Sequence, residues 1–345
     1  MSSTRALCAA ALCALATGVR AQAADVATLA SYTGPDRADK LAEGARREGT
    51  LNLYSSLTTE DLGVLGAAFE KKYGVKPTFW RASNEDILQR AVVEARGGRR
   101  TVDLYETGAA SLEGLRRESL LQPVVSPVFA ELMPQATAPG AWIGTRLQII
   151  TAAYNTNSVR ASALPKSYAD LADPRWKGKL TIEAGDTDWL ATLLTALGEE
   201  PGEKLLRQIV AANGVSVRKG HTLIANLVAA GEAPVAITTY LYKVNQLKAS
   251  GAPIDSFQLD PTVARVDGVG LAAGAPHPNA ALLFMDFMLG EGQAILAGRE
   301  FFPTNLKAGK SLDGMKLAFS DAGKQLDESE RWEKLYNDIF GRRSR

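Results

Sequence analysis

From Thr50 onward the chain alternates short apolar runs with longer runs of helical periodicity. That alternation restricts the folds open to it more than any other feature of the sequence. "TLNLYSS" (Thr50–Ser56) reads as a strand, and "TTEDLGVLGAAFEKKYG" follows as a helix. Thr58 or Thr59 is its cap, Glu60 and Asp61 lie in its first turn, and Gly74 stops it. "VKPTFWR" (Val75–Arg81) is a second strand. "SNEDILQRAVVEARGG" is a second helix, opened by the capping spacing Ser83 to Asp86 and closed by Gly97-Gly98. "TVDLYET" and "AASLEGLRRESLL" repeat the pattern once more. Such alternation predicts an α/β fold with a mainly parallel sheet and helices on both faces.

A second run of the same kind starts after "RLQIITAAYNT" (Arg146–Thr156), an extended stretch longer than an ordinary strand of about 5–6 residues. It comprises "KLTIEA", "DWLATLLTALG", "PGEKLLRQIVAAN", "VSVRKG", "TLIANLVAAGE", "APVAITT" and "YLYKVNQLKASG". The expected partition is residues 24–148 plus 272–345 in one lobe and 149–271 in the other. "PNAALLFMDFMLGEGQAIL" (Pro278–Leu296) reads as one amphipathic helix.

The N-terminus follows a different logic. Arg5, the apolar run Ala6–Val19 and the small residues Ala21 and Ala23 have the order of a cleavable export signal, residues 1–23. The run falls short of the about 20 residues that span a bilayer. Both cysteines, Cys8 and Cys13, lie inside it, so disulfides and thiolate chemistry are excluded from the rest of the chain. With 39 basic against 38 acidic residues, no charge excess points to nucleic acid or a membrane surface.

Motifs for catalysis are missing. There is no Walker A loop, no His-Glu-x-x-His and no Gly-x-Ser-x-Gly. Gly268–Gly274 ("GVGLAAG") is one residue too long for a dinucleotide fingerprint and reads as an apolar strand. The only histidines are His221 and His277, the second a turn residue before a helix. No nucleophile–base pair can be named, so an enzyme is not the expected reading. In open α/β sheets ligands bind beyond the carboxyl ends of strands, where helix N-termini point N–H groups outward. Six junctions have that character: "SSLTTE", "RASNED", "ETGAAS", "AGDTDW", "RKGHTL" and "TTYLYK". From them come the candidate ligand contacts Ser55, Ser56, Thr58, Arg81, Thr107, Gly108, Thr187, Trp189, His221, Thr239 and Tyr240. Trp189 and Tyr240 are the candidate stacking platforms. Asp186 and Asp188 read as acids of the helix that starts before Trp189.

Across nearly all of this region the chain resembles the periplasmic solute-binding proteins of ABC importers, extracellular family 1, which include the ferric-iron-binding proteins. The resemblance is carried by "LNLYSSLTTE", "VDLYETGAASLEGLRRESLLQPV", "AAYNTNSV", "LPKSYADLADPRWKGKLTI", "LVAAGEAPVAI" and "NAALLFMDFMLGEGQAIL". It implies a type II fold of two α/β lobes joined by a two-strand hinge, a periplasmic location, a monomer, and as partners a permease with a separate ATPase. It implies a small-molecule or metal-chelate ligand held between the lobes. Service as the ligand-capture subunit of a membrane sensor is the alternative role.

Ferric-binding members use a histidine in the first loop, an acid in the third-strand loop and two adjacent tyrosines. Here the first loop is Ser55-Ser56-Leu57-Thr58, Glu106 is followed by Thr107 and Gly108, and Leu241 separates Tyr240 from Tyr242. A helix capped by Thr239 would set those two tyrosines about 200° apart, whereas extended backbone would put them on one face. Tyr240 alone is the candidate metal ligand, should the cargo be ferric iron. The favoured ligand is an oxyanion-bearing small molecule, and no resident cofactor is expected.

Overall fold

The computed structural model describes residues 26–137, 140–308, 312 and 314–341; the expected export signal lies outside them. The chain divides into two compact units. The first comprises residues up to Thr145, Asp267–Ile295 and Thr304–Ala308. The second comprises Arg146–Val266, Leu296–Pro303 and residues from Gly309 to the C-terminus.

In the first unit the strands Lys76–Arg81, Thr50–Ser55 and Leu104–Gly108 run parallel in that order, with Tyr54 paired to both Trp80 and Tyr105. The far half of the strand Thr262–Ala272 closes this set antiparallel, Val269 opposite Glu106. The Gly-rich segment is thus strand through Ala272. Gly268 is required there, because a Cβ would meet the Ile143 carbonyl at 2.5 Å. The capping expectations hold: Thr58 accepts from the Asp61 N–H (3.2 Å) and Ser83 from the Asp86 N–H (3.1 Å). Gly74 ends the helix Thr59–Tyr73 at φ +73°, which a side chain would resist. The core centres on Phe69, Phe284 and Phe287, whose rings meet edge to face.

Pro278–Leu296 is not one helix. It breaks at Gly290 into Pro278–Leu289 and Gly292–Gly298. The first piece is buried on nearly every side and so is a core helix, not an amphipathic one. Among the described residues no single helix is long and apolar enough to cross a membrane.

In the second unit Val235–Tyr240 lies antiparallel to Ile143–Asn155 and parallel to Leu180–Glu183, which in turn pairs parallel with Ser216–Arg218. The core packs Trp176, Trp189, Leu193, Leu194, Leu206 and Ile209 against Trp332, Tyr336, Ile339 and Phe340. Those last four belong to the helix Ser329–Phe340. The expected partition placed the whole tail in the first lobe; the tail's final helix instead completes the second unit's core. Its apolar residues recur at helical spacing and form one stripe, which Trp189 and its neighbours cover. The chain passes between the units within the long strands Ile143–Asn155 and Thr262–Ala272, at Thr145/Arg146 and Val266/Asp267. Residues 296–303 also join the second unit, because Phe302 and Pro303 pair with Leu147 and Arg146.

Candidate functional site

Each unit carries a polar cluster where strands end and helices begin. In the first unit Ser55, Glu106 and Thr107 are completely buried. The Ser55 hydroxyl donates to the Glu106 carboxylate and accepts from the Leu57 N–H at 3.1 Å. The Thr107 hydroxyl donates to Asn84 Oδ1 (2.8 Å), which also accepts from the Gly108 N–H (3.1 Å). Thr58 donates to Asp61 Oδ2 at 2.6 Å while capping its helix. These side chains bond one another. Ser55 and Thr107 were expected to touch ligand; their burial and internal bonds make them supports of the loops instead. Ser56 is half-buried, with its N–H donating to the Glu106 carbonyl, and Arg81 is exposed opposite Ser55.

The second unit gathers residues from three strand ends. Glu183 closes Leu180–Glu183, Asp186 caps the helix Thr187–Leu197, His221 opens His221–Ala230, and Tyr240 closes Val235–Tyr240. Asp186 and His221 are buried and paired, Oδ1 to Nε2 at 2.9 Å. Glu183 accepts from the Gly220 N–H at 2.8 Å and from the Gly185 N–H, which ties two loops to one carboxylate. The His221 ring lies 3.8 Å from the Tyr240 ring. The Tyr240 hydroxyl accepts from Arg265 Nη2 at 2.6 Å, and Arg265 Nη1 donates to Asp188 Oδ2 at 2.8 Å. The Tyr336 hydroxyl donates to the Glu183 carbonyl. Burial pushes the Tyr336 phenol far above its ordinary pKa, and the nearby Asp186, Glu183 and Asp188 carboxylates push it further in the same direction.

Expectations change here at Trp189, Thr239 and Tyr240. Trp189 is 1 % exposed and packs beside Tyr168 and Phe340, so it is core and stacks on no ligand. Thr239 is fully buried with its hydroxyl on the His221 carbonyl (3.2 Å), so it positions His221. Thr187 is half-buried at the first position of its helix. The strand ends at Tyr240, not Thr239, and the helix starts at Leu241. Tyr240 and Tyr242 therefore stand on one side, rings 5.8 Å apart and nearly parallel, not on opposite sides of a helix. Tyr242 is buried and stacked on Phe301 at 4.2 Å, a packing residue. Arg265 and Glu183 were missed. Arg265 stands 25 residues beyond Tyr240, inside the strand Thr262–Ala272 and not at a strand-to-helix junction. His277 does more than end a turn: its N–H and Nδ1 hold the buried Asp103 carboxylate at 2.7 and 2.9 Å.

Residues 107–317 match the family model described as bacterial extracellular solute-binding protein. The chain is 25 % identical over 292 residues to iron uptake protein A1 of Synechocystis, covering 79 % of this chain and 80 % of that one. The fold is similar to that of iron-bound HitA from Pseudomonas aeruginosa, with TM-score 0.71, 22 % identity, and 84 % and 99 % of the two chains covered. It is also similar to AfuA from Actinobacillus pleuropneumoniae, a periplasmic binding protein solved with fructose-6-phosphate. That likeness has TM-score 0.74, 24 % identity, and 86 % and 100 % coverage.

Proposed function

This chain belongs to the bacterial extracellular solute-binding proteins, and on that premise we propose that it captures a small solute in the periplasm and delivers it to the permease of an ABC importer. Its partners are then the permease and a separate ATPase, and its role is binding without turnover. The proposed ligand carries an oxyanion. The observation behind this choice is the Arg265 guanidinium held 2.6 Å from the Tyr240 hydroxyl at the end of a strand. A phenol that accepts from a cation is oriented to donate its own proton, and hydrogen bonds of that kind to a charged oxygen are the strong ones. Nearby Asp188 holds Arg265 in place at 2.8 Å. In the first unit the capped starts of Thr59–Tyr73 and Asn84–Arg96 supply N–H groups and positive dipole ends.

A ferric species is the second reading, favoured by the name of the Synechocystis relative. Tyr240 is its only tyrosine ligand here, since Leu241 is buried beside it and Tyr242 is stacked on Phe301. Iron as cargo would then arrive with other oxygen donors of its own.

The deciding experiment is a melting-temperature screen of the purified chain against phosphorylated sugars, phosphonates, carboxylates and ferric chelates. A ligand at about 100 times its Kd stabilises the folded state by about 2.7 kcal/mol. A phosphorylated or phosphonate solute is expected to raise the melting temperature. A shift confined to ferric chelates, with a phenolate-to-iron colour lost in Tyr240→Phe, establishes the second reading. No shift with any of the four classes overturns both.

A further inference from the structure

We propose that Glu183, Asp186 and His221 form a binding site for a divalent transition-metal ion within the second unit. Each residue offers a donor atom within 4.8 Å of donors from the other two, and all three side chains are buried. Two carboxylate oxygens and one imidazole nitrogen are a donor set suited to Zn²⁺ or Co²⁺.

The hydrogen bonding supplies an independent argument. Asp186 Oδ2 and His221 Nδ1 are buried and have no hydrogen-bond partner. Buried polar atoms are nearly always satisfied, and leaving one unmet is costly. The two orphans are also of the right kind. His221 Nε2 faces Asp186 Oδ1 at 2.9 Å. With the proton on Nε2, Nδ1 carries a lone pair, and Asp186 Oδ2 carries lone pairs as a carboxylate oxygen. Asp186 Oδ2 is an acceptor without a donor, which an ion held between Asp186, Glu183 and His221 Nε2 satisfies when it takes the place of the Nε2 proton. Glu183 is held in place by the N–H groups of Gly185 and Gly220.

Charge gives a third argument. Glu183 ends the strand Leu180–Glu183, and Asp186 and Asp188 open the helix that follows it, so the three carboxylates gather at one strand end. Arg265 pairs with Asp188 and balances it. Glu183 and Asp186 are left as two buried carboxyl groups beside His221, whose ring lies 3.8 Å from that of Tyr240. A divalent ion balances that pair and inverts the local field. It also resolves a conflict in the proposed function, because an oxyanion near Tyr240 would otherwise meet an acidic wall. The metal would offer that oxyanion a coordination position, a consequence that rests on the oxyanion reading.

The test uses the purified chain after dialysis against a chelator, titrated with Zn²⁺ by calorimetry and with Co²⁺ by visible absorption. Saturable binding of one ion and a Co²⁺ ligand-field band are expected. Asp186→Asn, which keeps the shape of the side chain, and His221→Ala should each weaken Zn²⁺ binding about tenfold or more. Thermal melts identify any variant that fails to fold, and Glu183→Gln then takes its place. Absence of Zn²⁺ binding, or binding unchanged in the folded variants, overturns the site. The oxyanion screen is repeated with and without Zn²⁺. Solute binding that survives the chelator in a chain that takes up no Zn²⁺ removes the metal site and leaves the solute reading standing. Zn²⁺ uptake without any solute binding keeps the metal site and removes the solute reading.

Discussion

The first unit's Ser55–Glu106–Asn84 cluster and the second unit's Glu183–Asp186–His221 cluster occupy the same kind of place, the carboxyl ends of strands where helices start. They differ in closure. In the first, Ser55 bonds Glu106, Thr107 and Gly108 share Asn84, and Thr58 bonds Asp61. In the second, Asp186 and His221 satisfy each other through one atom each and leave another atom buried and unmet. A closed network stabilises the loops that hold it. An open one carries a free-energy cost that a bound partner can remove. The contrast separates residues that shape the fold from residues suited to recognition, although sequence reading put both kinds in one group.

Substitutions can break or sharpen this contrast. The largest effect is expected from Trp189→Ala, which should cost about 3–5 kcal/mol of stability by emptying a core position. Denaturant unfolding checks it, and affinity per folded molecule should hold. A stable variant with lost affinity would return Trp189 to the ligand. Next is Glu106→Ala, which deprives the buried Ser55 hydroxyl of its acceptor and should cost about 1–3 kcal/mol in the same unfolding assay. An affinity loss larger than the stability loss would show that the first cluster is a recognition site too. Tyr240→Phe comes third. It should weaken binding of the screened ligand by about 0.5–1.5 kcal/mol in calorimetry while changing the fold little. Unchanged affinity would place Tyr240 outside the site.

The smallest effect concerns pH and sits in the first unit, away from both clusters. Burial raises the Asp103 pKa above its ordinary 3.8, against the opposing pull of its bonds to the Asn52 N–H and to His277. The folded state therefore holds this proton more tightly than the unfolded state. Its contribution to stability is greatest below the ordinary value and declines as pH rises through the raised one. Denaturant unfolding of wild type and Asp103→Asn across that window should show the variant gaining relative to wild type as pH increases. A constant difference would mean that Asp103 ionises in the fold as it does in water.

Much of the fold could be read in advance because its signals are local. The caps Thr58 and Ser83 and the stop at Gly74 each depend on neighbours within a few residues, and each stands where the pattern placed it. The tail could not be placed this way. The stripe of Trp332, Tyr336, Ile339 and Phe340 announces a helix needing cover, but nothing in it says which unit supplies that cover. Trp189 misled for a related reason. A tryptophan three residues past the cap of a strand-end helix can face solvent or core, and the choice depends on Tyr168 and Phe340, far away in sequence. Tyr240 was read as the first residue of a helix and is the last of a strand, and its relation to Tyr242 turned on that single residue of strand length.

By itself, then, the sequence determined the alternation of strand and helix, the caps that turn one into the other, and so the set of junctions where polar groups gather. Tertiary structure alone decided which of those groups spend their hydrogen bonds on one another. Arg265 reaches Asp188 across 77 residues of chain, and Ser55 reaches Glu106 across 51. Backbone periodicity comes from contacts within a turn or two of a residue, whereas pairing between side chains exists only once distant strands have been brought side by side.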